Sequence, residues 1–390
     1  MTLRIQKAEF FLVKIPLRFS VEHALASRTE NITGFVVLTA EDETSGIGEF
    51  LCREYVTGET IEDSVRYLEQ LGTFLKASTI EEPISFIKSL WEQNTNVRGK
   101  SAALCAIELA LLDLWGKRER RPVFALLSPN ATRSDKMVTF SGVYPFADGL
   151  KLAALNLFYR TFMRFEYIKI KGRGEIEKDL TYVRKVRRSF PYPIKIRLDL
   201  NASLPPDHAE EYFSKMRDNE ADIRWFEQPF PKEAWDVSAR FQKRFADSLV
   251  FCADESVCSM EDLERTITTG AFRAVNIRIA KNGGLLNALK LYQKAIQKGL
   301  QTQLGCMVGE SSVLAYAGLH LVALADQLRH HEGCFGKYLV KWDVIQPSLM
   351  FSKNGHISLE RLPKAGLVPT FNLDRLRKQA FRSGVLEGRP

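Results

Sequence analysis

PIKIRLDLN (193–201) decides the fold. It is an apolar run in which basic residues alternate, and it ends on a carboxylate, Asp199, the mark of a strand that delivers one acid at its C-terminal end. Four other polar residues stand in the same phase on either side. They are Lys171 closing YIKIK (167–171), Glu227 closing IRWFE (223–227), Asp254 closing LVFCAD (249–254), and Lys281 just after FRAVNIRIA (272–280). From Lys171 to Lys281 the intervals are 28, 28, 27 and 27 residues. A parallel strand with its returning helix takes about that length, since βαβ units run to ~30 residues or more. Residues at one phase of successive units lie at one end of neighbouring strands. Three carboxylates flanked by two lysines therefore meet at one mouth.

The rhythm extends in both directions. MVTFSGVY (137–144) reads as an opening strand, TQLGCM (302–307) as a seventh, and an eighth is expected near HHEGCF (330–335). Helical patterns over 175–190, 208–219 and 285–298 separate them. Eight such units predict a (β/α)₈ barrel with its active site at the C-terminal strand ends. An open doubly wound sheet is the rival, but it rarely presents strands in chain order with functional residues at every end.

Residues 1–126 lack this rhythm. KAEFFLVKI, GFVVLTA and IGEFL, with the turn-rich AEDETSG between the last two, predict an antiparallel meander. Helical spacing follows over 61–77 and 82–93. SAALCAIELALLDLW (101–115) is apolar nearly all round, as a helix buried between two domains must be. The expected organisation is an α+β cap over 1–126, the barrel over 127–345, and a segment over 346–390 that returns to complete the cap.

With 45% hydrophobic and 26% charged residues, the composition is that of a globular chain. The apolar stretch 313–325 is broken by His320 and too short to span a bilayer, and the first residues lack a signal-peptide pattern. Six scattered cysteines without a CxxC pair suit reduced thiols and argue against zinc. A cytoplasmic protein is expected. The net charge of +8 is spread along the chain, which speaks for a solvated surface that attracts anionic metabolites, and against a nucleic-acid stripe.

Strand alternation puts Lys169 and Lys171 on one face, pointing into the barrel. Two ammonium groups ~6.7 Å apart repel by roughly 2.5 kcal/mol at an effective dielectric of ~20, enough to move a lysine toward use as a base. Any one of Asp199, Glu227 and Asp254 could cap a helix. Three in register, ~4 Å apart, repel by roughly 4 kcal/mol per pair and call for a cation. Oxygen-only coordination suits Mg²⁺, with Mn²⁺ as substitute. Asn201 and Glu255 are expected to orient these ligands. Gly283 and Gly284 allow a tight turn beside Lys281. Lys171 and Lys281 would then face a bound carboxylate from opposite sides, one removing its α-proton and the other returning a proton or stabilising the enediolate.

In these motifs the chain resembles the enolase superfamily and its muconate-lactonizing-enzyme subgroup. The resemblance rests on Lys169–Ile170–Lys171, Asp199–Leu200–Asn201, Glu227–Gln228–Pro229, Asp254–Glu255–Ser256, and Lys281 followed by Gly283 and Gly284. It implies a small-molecule carboxylate substrate, a shared metal and lysine pair, and a homo-oligomer. It leaves open whether the product is that of a racemase, an epimerase, a muconate cycloisomerase or an o-succinylbenzoate synthase. It further implies that specificity lies in two cap loops, 19–28 and 52–60, the second of which (YVTGET) is similar to those of dipeptide epimerases and acylamino-acid racemases. Arg28 and Arg53 would either pair with a second substrate carboxylate or stand as surface arginines, and His23 would either contact substrate or pack on the cap. The paired aspartates by which dipeptide epimerases grip an ammonium are replaced by HHEGCFG, leaving Glu332 alone. Glu310 falls one residue later than the family's Met-x-Glu. The leading expectation is a metal-dependent racemase or epimerase of an N-acylamino acid. Cycloisomerisation or dehydration is second, a Schiff-base lysine aldolase is the rival from another class, and a non-enzymatic binder leaves the lysine pair without a job.

Overall fold

A computed structural model describes residues 3–23, 26–92, 99–129, 136–218 and 221–386. In the cap, β1 (Leu3–His23) and β2 (Ala26–Ala40) form a long antiparallel hairpin, with β3 (Ser45–Phe50) beside β2 and the short β4 (Thr79–Ile80) on the start of β1. The helix Ile61–Ala77 begins on a capping box. The Thr60 hydroxyl accepts from the Asp63 amide, and the Asp63 carboxylate accepts from the Thr60 amide. Such a box satisfies two helix-start donors at once.

The mostly apolar helix Ser101–Arg118 packs on β2 and β3 and is buried on almost every side. Gly48 makes that approach possible, because a Cβ there would stand 1.9 Å from the Ala106 carbonyl oxygen. From the middle of this helix Glu108 reaches the barrel, accepting from the Leu286 amide at 2.8 Å and the Trp91 indole at 3.1 Å.

The stretch MVTFSGVY, expected as one strand, is two. β5 (Met137–Thr139) pairs away from the barrel, and β6 (Gly142–Tyr144) opens it. The chain steps across at Phe140, whose amide donates to the Gly355 carbonyl at 2.7 Å. Parallel strands follow in chain order: β7 (Tyr167–Lys171), β8 (Lys195–Asp199), β9 (Trp225–Glu227), β10 (Val250–Ala253), β11 (Ala274–Ile277), β12 (Gln301–Leu304) and β13 (Leu328–His331). The eight-stranded sheet curls into a half-open barrel. Its ladder does not run from β13 to β6, although the Ser141 amide donates to the His331 carbonyl at 2.9 Å.

The returning helices include Ile176–Ser189, Ala209–Arg217 and Leu285–Gln297, close to the expected spans. The expected ends at Gln93 and Asn219 lie outside the described residues. After β6 the helix Gly149–Leu157 widens into a π turn, Phe158–Met163, where the Arg164 amide donates to the Tyr159 carbonyl five residues back. The tail carries β14 (His356–Ser358), antiparallel to β5, and β15 (Ala380–Val385), antiparallel to β1, so it completes the cap. No helix among the described residues is long and apolar enough to cross a membrane.

Candidate active site

Strand register gathers the polar residues as their spacing implies. Lys171 is the register partner of Asp199, and Asp199 of Glu227. Cys252 partners Glu227, which sets Asp254 two residues beyond it on the same face. All three carboxylates are fully buried. Lys171 Nζ donates to Asp199 Oδ2 at 2.6 Å and to Asn201 Oδ1 at 2.8 Å. Lys169 Nζ lies 2.6 Å from Glu332 Oε2, 3.0 Å from Asp199 Oδ2 and 3.3 Å from Glu227 Oε1. Glu227 also accepts from Asn276 Nδ2 at 2.9 Å and Gln303 Nε2 at 2.7 Å.

Arg278 occupies the middle of the group. Its Nη2 bonds Asp254 Oδ2 and lies 3.6 Å from Glu227 Oε1. As they stand, no three acids or histidines among the described residues sit close enough to grip an ion. Asn201 Nδ2 donates to Glu255 Oε1 at 3.1 Å, and Glu255 Oε2 is buried without a partner.

Ionisation follows these contacts. Burial pushes the Asp199 carboxyl upward, but Lys171 and Lys169 outweigh it and hold the group well below the usual carboxylate range. Burial acts the same way on Glu332, which Lys169 and Arg197 bring down to about 2. Glu255 is raised by burial and by the charge of Asp199. For Lys169 the shift opposes the expected one. Burial would lower it, yet Glu227, Glu332 and Asp199 together raise it, so this lysine stays charged. Three carboxylates at contact distance overcome both burial and repulsion from Arg197.

Lys281 comes four residues after β11 ends, and Gly283 and Gly284, at φ +83° and +130°, make the turn beside it. It is fully buried, donating to the carbonyls of Asp254 and Asn276 at 2.7 Å each and to Asp254 Oδ1 at 3.1 Å. Burial foremost lowers it to about 8. Lys171, Lys169, Asn201, Glu255, Arg278 and Glu332 face a cavity of about 280 Å³, and Lys281, held on Asp254, is not among its lining residues.

Of the residues expected to read the substrate, Arg28, Arg53 and Glu310 are not among those lining this cavity, whereas Glu332 is. Arg53 is a latch between cap and barrel, donating to Asn31 Oδ1 and the Val308 carbonyl at 2.8 Å each. Arg28 lies 5.9 Å from the Tyr55 ring centroid. Glu310 accepts from the Met307 amide at 3.0 Å, and burial raises its carboxyl. Glu332 does border the cavity, already paired with Lys169 and Arg197. The stretch 19–28 is mostly the strand-paired tip of the β1–β2 hairpin and not a loop; the side chain of His23 lies outside the described residues. The stretch 52–60 holds one helical turn, Glu54–Thr57.

Sequence reasoning passed over Arg197, Asn276, Arg278 and Gln303. The period of two would have found them. Arg197 precedes Asp199 by two, Arg278 follows Asn276 by two, and all four point inward from barrel strands or their ends.

Comparison with known proteins agrees with this geometry. Residues 156–371 match the family of enolase C-terminal domain-like proteins. The hydrophobic dipeptide epimerase of Citrifermentans bemidjiense is 28% identical over 322 residues, covering 82% of this chain and 86% of that one. The N-succinyl-L-Arg/Lys racemase of Bacillus cereus is 26% identical over 322 residues, covering 82% and 84%. The dipeptide epimerase from Cytophaga hutchinsonii, solved with Mg and the dipeptide D-Ala-L-Val, shares the fold at a TM-score of 0.86 and 21% identity, covering 99% of this chain and 100% of that one. The chain belongs to the enolase superfamily, within its muconate-lactonizing and epimerase–racemase subgroup.

Proposed function

We propose that this protein is a divalent-metal-dependent racemase or epimerase that removes the α-proton of an N-acylamino acid or related carboxylate through an enediolate. The observation that carries it is the register of Asp199, Glu227 and Asp254 at adjacent strand ends, bracketed by Lys171 and Lys281. The epimerase and racemase activities named for the similar proteins support it.

The donor set fits a hard cation. Between Glu227 and Asp254 the Arg278 guanidinium stands where positive charge is demanded, and Glu255 Oε2 has no partner. Asp199, Glu227 and Asp254 would hold Mg²⁺, or Mn²⁺ in its place, which when bound supplies positive charge beside the substrate carboxylate. Lys171 borders the cavity and takes or returns the proton on one face of the α-carbon. Lys281 serves the other face once its amine leaves Asp254 Oδ1, and burial makes it easier to deprotonate than an ordinary lysine. Lys169, kept charged, draws the anionic substrate. Asn201 holds Lys171 in place.

Incubating N-acylamino acids in heavy water tests the reading. Deuterium is expected at the α-carbon, and Lys171→Ala and Lys281→Ala are each expected to slow racemisation by about 10²–10⁴-fold. Alkene formation without exchange would mean elimination. Full activity in both variants would overturn it, and chelator-resistant activity with a borohydride-trapped adduct would point to a Schiff base instead.

A further inference from the structure

Away from Lys171 the cavity changes character. Five aromatic side chains on its wall form a closed circuit of ring contacts. Phe158 meets Tyr159 at 5.9 Å, Tyr159 meets Phe165 edge-on at 4.9 Å, and Phe165 meets Phe351 at 5.3 Å. Phe351 stacks on Tyr338 at 5.6 Å, and Tyr338 returns to Phe158 at 6.2 Å. Rings at these separations attract beyond the area they bury and hold one another's faces in place.

The π turn builds this wall. It carries Phe158 and Tyr159 in succession to the cavity and leaves Phe162 outside, 63% exposed. π turns recur at functional sites, because the extra residue re-aims side chains that an α-helix would scatter. The Tyr159 hydroxyl donates to the Val143 carbonyl at 2.9 Å, so its polar tip is engaged and its ring is what it offers. The charged residues that line the cavity, Lys169, Lys171, Glu255, Arg278 and Glu332, belong to the barrel strands or the segments just after them.

We infer that the aromatic circuit is a subsite for a bulky, uncharged apolar group borne on the substrate's α-carbon, either directly or through the acylated nitrogen. The inference deepens the proposed function and rests on it for where the carboxylate sits. An apolar group gains by leaving water for this wall. A charged one would lose its hydration with no counter-charge to replace it.

Calorimetric titration of the full chain with magnesium present tests it, because binding needs no turnover. The probes are N-acetylglycine, N-acetylphenylalanine, N-phenylacetylglycine and N-succinylglycine. At least one of the two phenyl-bearing compounds is expected to bind tenfold or more tighter than N-acetylglycine, and N-succinylglycine no tighter than it. Phe158 is partly exposed, so Phe158→Arg should fold; it is expected to abolish the phenyl preference and tighten N-succinylglycine. Equal affinities, a preference for succinyl in the unaltered protein, or no binding by any of the four would overturn the subsite. Deuterium exchange on the same phenyl-bearing acids separates the two readings. Preferential binding without exchange sinks the reaction and leaves the subsite standing, and exchange without acyl or side-chain preference does the reverse.

Discussion

Two sets of carboxylates are buried in this molecule, and they are satisfied by different partners. In the framework, Asp113 accepts from the amides of Ile47, Leu367 and Val368, and Asp343 from those of Ser312 and Ile345. Glu49 accepts from the amides of Ser311 and Leu314, and Asp179 from those of Arg173 and Gly174. At the barrel mouth the partners are side-chain cations: Lys171 and Lys169 for Asp199, Arg278 and Lys281 for Asp254, Lys169 and Arg197 for Glu332. The division has exceptions, since Asp113 also holds Lys117 and Asp199 also accepts from the Asn201 amide. A backbone amide cannot withdraw without undoing the fold, whereas a lysine or arginine on its flexible stem can yield its place to another cation or turn to a substrate anion. What marks a buried acid as available for chemistry is the mobility of its partner.

The sharpest way to break that contrast is to remove one acid of the framework. Asp113→Ala strands three buried amides, each worth roughly 1–3 kcal/mol when unpaired, so a loss of about 3–5 kcal/mol in urea unfolding is expected. The turnover of each molecule that remains folded should not change. A loss below about 1 kcal/mol, or a folded variant without activity, would erase the distinction.

A smaller effect tests the other set. Magnesium at a hundredfold excess over its dissociation constant should raise stability by about 2.7 kcal/mol through mass action. Asp254→Asn should remove most of that increment in thermal melts, and Asp343→Asn should keep it. An increment unaffected by Asp254→Asn would place the ion elsewhere.

The sequence made the mouth legible because phase is a local property. YIKIK is β7 residue for residue, and the helix 61–77 has the bounds its spacing implies. What stayed hidden depended on distant partners. β5 separates from β6 because its pairing strand, β14, arrives more than two hundred residues later. The stretch 19–28 is expected as a loop on the family resemblance, yet cross-strand pairing extends the hairpin through Val21 and Arg28. The direction of the Lys169 shift depends on Glu227, Glu332 and Asp199 together, and Glu332 lies beyond the last barrel strand. Arg53 is absorbed by Asn31 and the Val308 carbonyl, neither of which announces itself in the surrounding residues.

The weakest effect concerns a titratable group that the framework keeps neutral. His320, fully buried on the helix Ser312–Leu324, accepts from the Phe124 amide on Nδ1 at 3.1 Å, and its Nε2 meets the Leu367 carbonyl at 3.0 Å. That pairing requires the tautomer with its proton on Nε2. Burial lowers its pKa from 6.5 to about 3. In the unfolded chain the ring takes up its proton near 6.5, and in the folded chain only near 3, so its contribution to stability is complete above pH 6.5 and is lost as the pH falls toward 3. Each pH unit in that window is worth about 1.4 kcal/mol, or roughly 2 kcal/mol between 6.5 and 5. Glu49 and Glu108, raised to about 7 mainly by burial, act in the opposite sense, since their protonated forms favour the folded state as the pH falls. The total slope therefore mixes signs, and only a difference isolates His320. His320→Gln retains an acceptor and a donor but no titration, so its unfolding free energy should lose less than that of the unaltered protein between pH 6.5 and 5. Parallel slopes would show that His320 is protonated in the folded state after all, and that backbone amides do not hold their buried partners as firmly as the contrast with the barrel mouth demands.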